Sequence, residues 1–191
     1  DIEGFVSCLL SLQPLVDGIE VNISSPNTDG LRVFHDAKKF GKLLAELKSH
    51  SSKPLFVKLP RYKTQKEKDN VLHLARLCGQ YELTGLTVSN SRPVQDSRLA
   101  VGNGGLSGRP LLNDTLRAVR EIRKEVGEDL IINASGGIFT GRDALDALEA
   151  GADTVQVMTA LWYEGPAVSR EINRWLDDYL LRNGVPSIQY V

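Results

Sequence analysis

The chain has 191 residues, 41% hydrophobic and 25% charged, a balance expected of a soluble globular fold long enough to bury a substantial core. Lys and Arg number 23 against 24 Asp and Glu, so a net charge of −1 offers no global field for nucleic acid or another polyanion, and a small molecule is the expected partner. No run approaches the ~18 to 20 apolar residues of a spanning helix, the start Asp1-Ile2-Glu3-Gly4 lacks the basic flank of a signal peptide, and a first residue other than Met sets the expectation that upstream residues were lost or cut away.

Apolar strand-like runs alternate with helical patterns along the whole chain, the signature of βα units on a parallel sheet. Ile2 to Leu15 carries Phe5, Leu9 and Leu12 at helical spacing and stops near Pro14 and Gly18. A strand follows over Gly18 to Ile23, then a helix over Asp36 to Lys48 with Phe40, Leu43, Leu44 and Leu47 on one face and lysines on the other. The strand Pro54 to Leu59 leads into Lys63 to Tyr81, charged at first and then amphipathic through Val71, Leu74 and Ala75, before a strand at Gly85 to Ser89. Asn90 to Pro110, with four glycines and little apolar periodicity, reads as a long functional loop. A helix over Asn113 to Val126 with Asn113 as N-cap, a strand over Leu130 to Ala134, a helix over Gly141 to Glu149, a strand over Thr154 to Met158 and a last helix over Ala167 to Arg182 complete the series, and the tail reads as irregular. One leading helix and five strands, each followed by a helix, form a single unit over 1–191 with no linker to divide it. A closed (β/α)₈ barrel needs eight strands and about 250 residues, so three strands are unaccounted for.

Chemistry is expected where strands end. Asn22-Ile23-Ser24-Ser25-Pro26-Asn27-Thr28 places two amides and three hydroxyls on a loop stiffened by proline at the end of the first strand, a set suited to gripping a planar polar molecule; the plainer reading is a turn whose side chains satisfy local backbone. Lys58 breaks an apolar strand at its carboxyl end, where apolar neighbours would focus its charge on an anionic ring or phosphate; the alternative is a side chain snorkelling at the sheet rim. Gly136-Gly137 can bring backbone N–H groups to a phosphate, aided by the positive end of the next helix, and Met158-Thr159-Ala160 follows the last strand, where barrel enzymes often complete a phosphate cradle; both are also ordinary turn sequences. His35, His50 and His73 lie beside helical segments away from strand ends and read as structural or solvated, and no spacing suggests a metal site. Arg61 to Asp69 reads as a solvated helix start, and Cys8 and Cys78 as reduced, packed thiols.

Taken together, Asn22-Ile-Ser-Ser-Pro-Asn-Thr28, Val57-Lys58, Ser89-Asn90-Ser91, Gly104-Gly-Leu-Ser-Gly-Arg-Pro110, Ser135-Gly-Gly-Ile138 and Val155-Gln-Val-Met-Thr159 occur in an order and at spacings that resemble the C-terminal part of dihydroorotate dehydrogenase, a flavin-dependent (β/α)₈ enzyme of pyrimidine synthesis. The resemblance implies a TIM barrel of which this chain supplies roughly the last five βα units, FMN as cofactor, and oxidation of dihydroorotate to orotate. Ser25 then stands for the catalytic base, serine rather than cysteine implying the class 2, quinone-reducing enzymes. Asn22 would contact flavin and substrate, Asn27, Asn90 and Ser91 would hold the substrate, Lys58 would face the flavin N1/O2 side, and Ser89, Gly108, Gly137, Met158 and Thr159 would line FMN and its phosphate. Thr28 or an ordered water is the candidate relay for the Ser25 proton. Met158 stands where the family often has tyrosine, and Asn133-Ala134-Ser135 where a more glycine-rich run is usual. The family's first strands and its hydrophobic N-terminal segment for quinone and membrane docking precede the matched region, so a partner chain or further segment completing the barrel is implied, with a location in the cytoplasm or peripheral at an inner or mitochondrial inner membrane. The competing expectations are a non-catalytic half-barrel unable to hold FMN alone and another FMN-dependent barrel oxidoreductase.

Overall fold

The computed structural model describes residues 1–25 and 30–191. Helix α1 (Ile2–Leu12), capped by the Asp1 carboxylate, leads to strand β1 (Ile19–Asn22). Asp36 accepts from the Lys39 N–H and so starts α2 (Ala37–His50), whose Phe40, Leu43, Leu44 and Leu47 are buried as the helical spacing predicts. Strand β2 (Leu55–Lys58) is followed by α3 (Gln65–Gln80), opened by a reciprocal capping box between Thr64 and Glu67, and then by β3 (Gly85–Val88). Further on come α4 (Leu112–Val126), β6 (Ile131–Ser135), α5 (Gly141–Glu149), β7 (Thr154–Gln156), α6 (Thr159–Glu164) and α7 (Val168–Asn183).

The five long-range strands form one parallel sheet in the order β1-β2-β3-β6-β7, each neighbouring pair joined through at least one helix. Val21, Val57, Leu86, Val88, Ile132 and Ala134 point to the helical side and meet Phe40, Leu44, Leu74, Val119, Ile122 and Ala144, all buried in one cluster. Each such leucine contributes about 1.5–3 kcal/mol by leaving water. The opposite face is polar. There the Glu20 carboxylate accepts from the Thr87 hydroxyl and from Gln156 Nε2 at 3.1 Å, and Lys58 Nζ lies 3.4 Å away. Glu20 is on β1 and Gln156 on β7, the two edge strands, so a side-chain bond between them requires a strongly curled sheet, the curvature of a barrel wall.

Several boundaries differ from the sequence reading. Asn90 to Pro110 is not a structureless loop: it contains an antiparallel hairpin of β4 (Arg92–Gln95) and β5 (Asn103–Leu106), whose half-exposed strands, the second with two glycines, carry no apolar signature. Asn113 is not the cap of α4, because the backbone enters the helix from the turn Arg109–Leu111 and reaches Asn113 already helical. The last strand stops at Gln156, two residues short of its expected end, and the short α6 begins after a bend at Met158. Cys78 is buried but Cys8 is exposed on α1, so only one thiol is packed. Among the described residues, no helix is long and apolar enough to cross a membrane.

Candidate active site

The carboxyl ends of the parallel strands bring together residues far apart in sequence. Asn90, just past β3, donates from Nδ2 to Asn22 Oδ1 at 3.0 Å and to Ser24 Oγ at 2.9 Å, while its Oδ1 accepts from the Ser91 N–H at 2.8 Å. Ser24 in turn donates to the Lys58 carbonyl at 3.2 Å and from its own N–H to Asn22 Oδ1 at 3.1 Å. The seryl-asparaginyl loop therefore does more than satisfy its own turn: it ties β1 to β2 and β3. Ser25 is half-buried directly beyond this knot, and Asn27 and Thr28 lie outside the described residues.

Lys58, Ser89, Asn90, Ser91, Gly108, Gly137, Met158 and Thr159 line a single cavity of about 200 Å³ at this rim, bounded also by Ser135, Gly136 and Gln156. The Ser89 hydroxyl is sealed from solvent and has no hydrogen-bond partner among the described residues, an unmet polar group in the cavity wall. Gly137 has φ +88°, and a Cβ there would fall 2.4 Å from the Leu112 nitrogen, so only glycine lets the turn after β6 lie this close to α4. The next helix gives less help than its position promises. Thr140 and Asp143 close a capping box on α5, and the Phe139 and Thr140 N–H groups both donate to Asp143, so that positive end is occupied by its own residues.

Lys58 lies on the polar face of the sheet, its side chain 22% exposed, with the Glu20 carboxylate as its neighbour; the apolar setting expected from its strand is corrected accordingly. Burial works against charge on Glu20, but the bonds from Thr87 and Gln156 and the Lys58 ammonium outweigh it and hold the carboxyl below its ordinary value.

The sequence reading misses two residues of this rim. Arg61, expected to be solvated, turns inward after Pro60 and donates from Nε to the Asn90 carbonyl at 2.6 Å and from Nη2 to Thr115 Oγ1 at 2.9 Å and the Ser135 carbonyl at 3.0 Å. Tyr62 beside it is also buried, its hydroxyl bonded to Glu121, and only from Lys63 onward does the segment meet water. His35, expected away from strand ends, bonds the Ile23 carbonyl at the end of β1, and its Nε2 is buried without a partner among the described residues; burial, helped by Arg32 and opposed by that bond, lowers its pKa. No local pattern marks Arg61, whose partners are 29 to 74 residues away. A larger depression of about 520 Å³ lies at the opposite end of the sheet, between the C-termini of α3 and α4, and none of the predicted residues borders it. Among the described residues no group of three or more His, Cys, Asp or Glu is placed to hold a metal ion.

A family profile described as "Dihydroorotate dehydrogenase" matches residues 1–180. This chain belongs to the dihydroorotate dehydrogenase family. Among its dihydroorotate dehydrogenase relatives, the protein of Roseiflexus castenholzii named "Dihydroorotate dehydrogenase (quinone)" is 34% identical over 98% of this chain and 52% of its own length, and the one of Myxococcus xanthus with the same name is 35% identical over 100% and 53%. A crystal structure of a ligand-free dihydroorotate dehydrogenase from Eimeria tenella superposes with a TM-score of 0.87 at 28% identity, covering 98% of this chain and 58% of that one. The chain thus has the fold of part of a (β/α)₈ barrel and spans about half the length of the curated relatives it matches.

Proposed function

We propose that this chain forms the substrate and cofactor mouth of an FMN-dependent enzyme that oxidises dihydroorotate to orotate and passes the electrons to a quinone. The observation that carries the reading is the rim cavity lined by Lys58, Ser89, Asn90, Gly108, Gly137 and Thr159, with an unmet Ser89 hydroxyl in its wall and a glycine turn that no side chain could share. Those features fit a flavin phosphate and ring edge. Bound FMN would supply the hydride acceptor. Ser89, Gly108, Gly137, Met158 and Thr159 would hold it, Lys58 would place positive charge at its N1/O2 edge, and Asn22, Asn27, Asn90 and Ser91 would hold the planar substrate. Ser25 would take the proton from the substrate's C5, which requires a hydroxyl able to hand its own proton onward. Quinone use is supported by the names of the relatives, and a location at a membrane surface is part of the same proposal. Flavin fluorescence titration of the purified chain, followed by anaerobic mixing with dihydroorotate, tests the reading: Ser25→Ala is expected to keep FMN bound while abolishing flavin reduction, and near-normal reduction in that variant would refute the base assignment.

A second reading, a half-barrel that does not retain FMN alone, is favoured by one observation. The cavity of about 200 Å³ falls below the roughly 300–1,000 Å³ of sites that enclose a cofactor-sized ligand, since the polar face beneath it is bounded by the edge strands β1 and β7. Absence of any flavin binding in the titration selects it.

A further inference from the structure

The dehydrogenase reading assigns no role to Arg61, a rim cation whose hydrogen-bond acceptors among the described residues are all neutral oxygens. Arg61 takes two backbone carbonyls and a hydroxyl as acceptors, and among the described residues it has no ion-pair partner; Asp114, whose charge acts on it from beyond ion-pair distance, is engaged by Arg92 at 3.3 Å and Arg117 at 3.2 Å. Burial brings its pKa down to about 10, which leaves it charged at neutral pH. Its three acceptors belong to three separate pieces of the rim: Asn90 on the loop after β3, Ser135 at the end of β6, and Thr115 on the first turn of α4, whose hydroxyl lies 2.8 Å from the Gly136 carbonyl. At Gly136 a Cβ would fall 2.2 Å from Arg61 Nη2, so the missing side chain is what lets the guanidinium seat.

We propose that Arg61 is a positioning residue that locks the Asn90 loop and the Gly136-Gly137 turn into one rigid unit. The substrate amide and the cofactor cradle are then set at a fixed separation rather than independently. The planar fork is essential to this, because an ammonium cannot reach acceptors on both sides at once. The functional part of the claim rests on the dehydrogenase reading; the mechanical part does not, and the experiment separates them.

Amide hydrogen exchange is measured on the ligand-free chain and FMN affinity by fluorescence quenching, for the wild type, Arg61→Met, Arg61→Lys and Thr115→Val. Arg61→Met should raise exchange together at residues 90–91 and 136–137 while leaving α2 unchanged, and weaken FMN at least about tenfold, equivalent to about 1.4 kcal/mol. Arg61→Lys should restore protection at no more than one of the two segments, and Thr115→Val should affect 136–137 alone. Unchanged exchange at either segment in Arg61→Met, or full rescue of both by lysine, overturns the proposal. If Arg61→Met fails to fold, the lysine and valine variants decide by the same pattern. If the wild type binds no FMN, the dehydrogenase reading falls and exchange alone decides the coupling.

Discussion

Two arginines do similar work at opposite ends of this sheet with different electrostatics. At the amino end, Arg123 on α4 donates to the carbonyls of Gly151 at 2.8 Å, Gly127 at 2.5 Å and Leu130 at 3.0 Å, and pairs with Asp153, which itself accepts from the Ile132 N–H. At the carboxyl end, Arg61 holds oxygens of Asn90, Thr115 and Ser135 and, among the described residues, has no ion-pair partner, feeling Asp114 only at longer range. Each arginine also rests against a glycine of positive φ, Arg123 through its aliphatic stem at Gly151 and Arg61 through its guanidinium at Gly136. The ion-paired clamp suits a region whose task is to stay folded, and the one without an ion pair lies where barrel enzymes keep their chemistry.

The contrast can be broken most forcefully at the amino end. Arg123→Met takes the donor from Asp153, itself 43% exposed, and from three carbonyls, and a loss of about 2 kcal/mol in unfolding free energy is expected with the denaturant slope unchanged, whereas Arg61→Met, which also removes the cost of a buried charge without an ion pair, should lose about half as much. Equal losses would erase the distinction between the two clamps. Gly136→Ala and Gly151→Ala should each cost about 1–3 kcal/mol, since both put a Cβ on a left-handed backbone and within 3 Å of an arginine side chain; only the first is expected to alter flavin fluorescence, and an effect of the second on flavin would argue against a local rim site. The smallest effect concerns pH. Folded His35 takes up its proton only below the ordinary 6.5, while the unfolded chain takes it up near that value, so stability should decline as pH falls through 6.5, and His35→Gln should flatten that part of a pH-stability curve. A curve that keeps its slope in the variant places the acid sensitivity elsewhere.

The alternation of strands and helices was legible because each strand of the main sheet sends an apolar stripe to one side and each long helix answers with residues at its own period, as Val57, Leu86 and Ile132 meeting Leu44, Leu74 and Val119 illustrate. The rim residues were legible because a parallel sheet delivers its carboxyl ends to one place, so Asn22, Lys58, Asn90 and Gly137 needed only their strand ends to be located. The β4–β5 hairpin escaped because a four-residue strand holding Pro93 set against one holding Gly104 and Gly105, with one face in water, carries no hydrophobic period. Arg61 escaped for a different reason. A cation followed by Lys63, Lys66 and Lys68 has the composition of a solvated helix start, and its burial is decided by carbonyls contributed from distant strands.

The Glu20 carboxylate acts as the string of a bow whose limbs are the first and last strands. Because it pulls on Thr87 and Gln156 at once, its reach fixes the radius of the arc, and shortening it by one methylene, as aspartate would, must either slacken the string or draw the limbs inward. The spread of the mouth above is thereby governed from a carboxyl group that no ligand needs to touch.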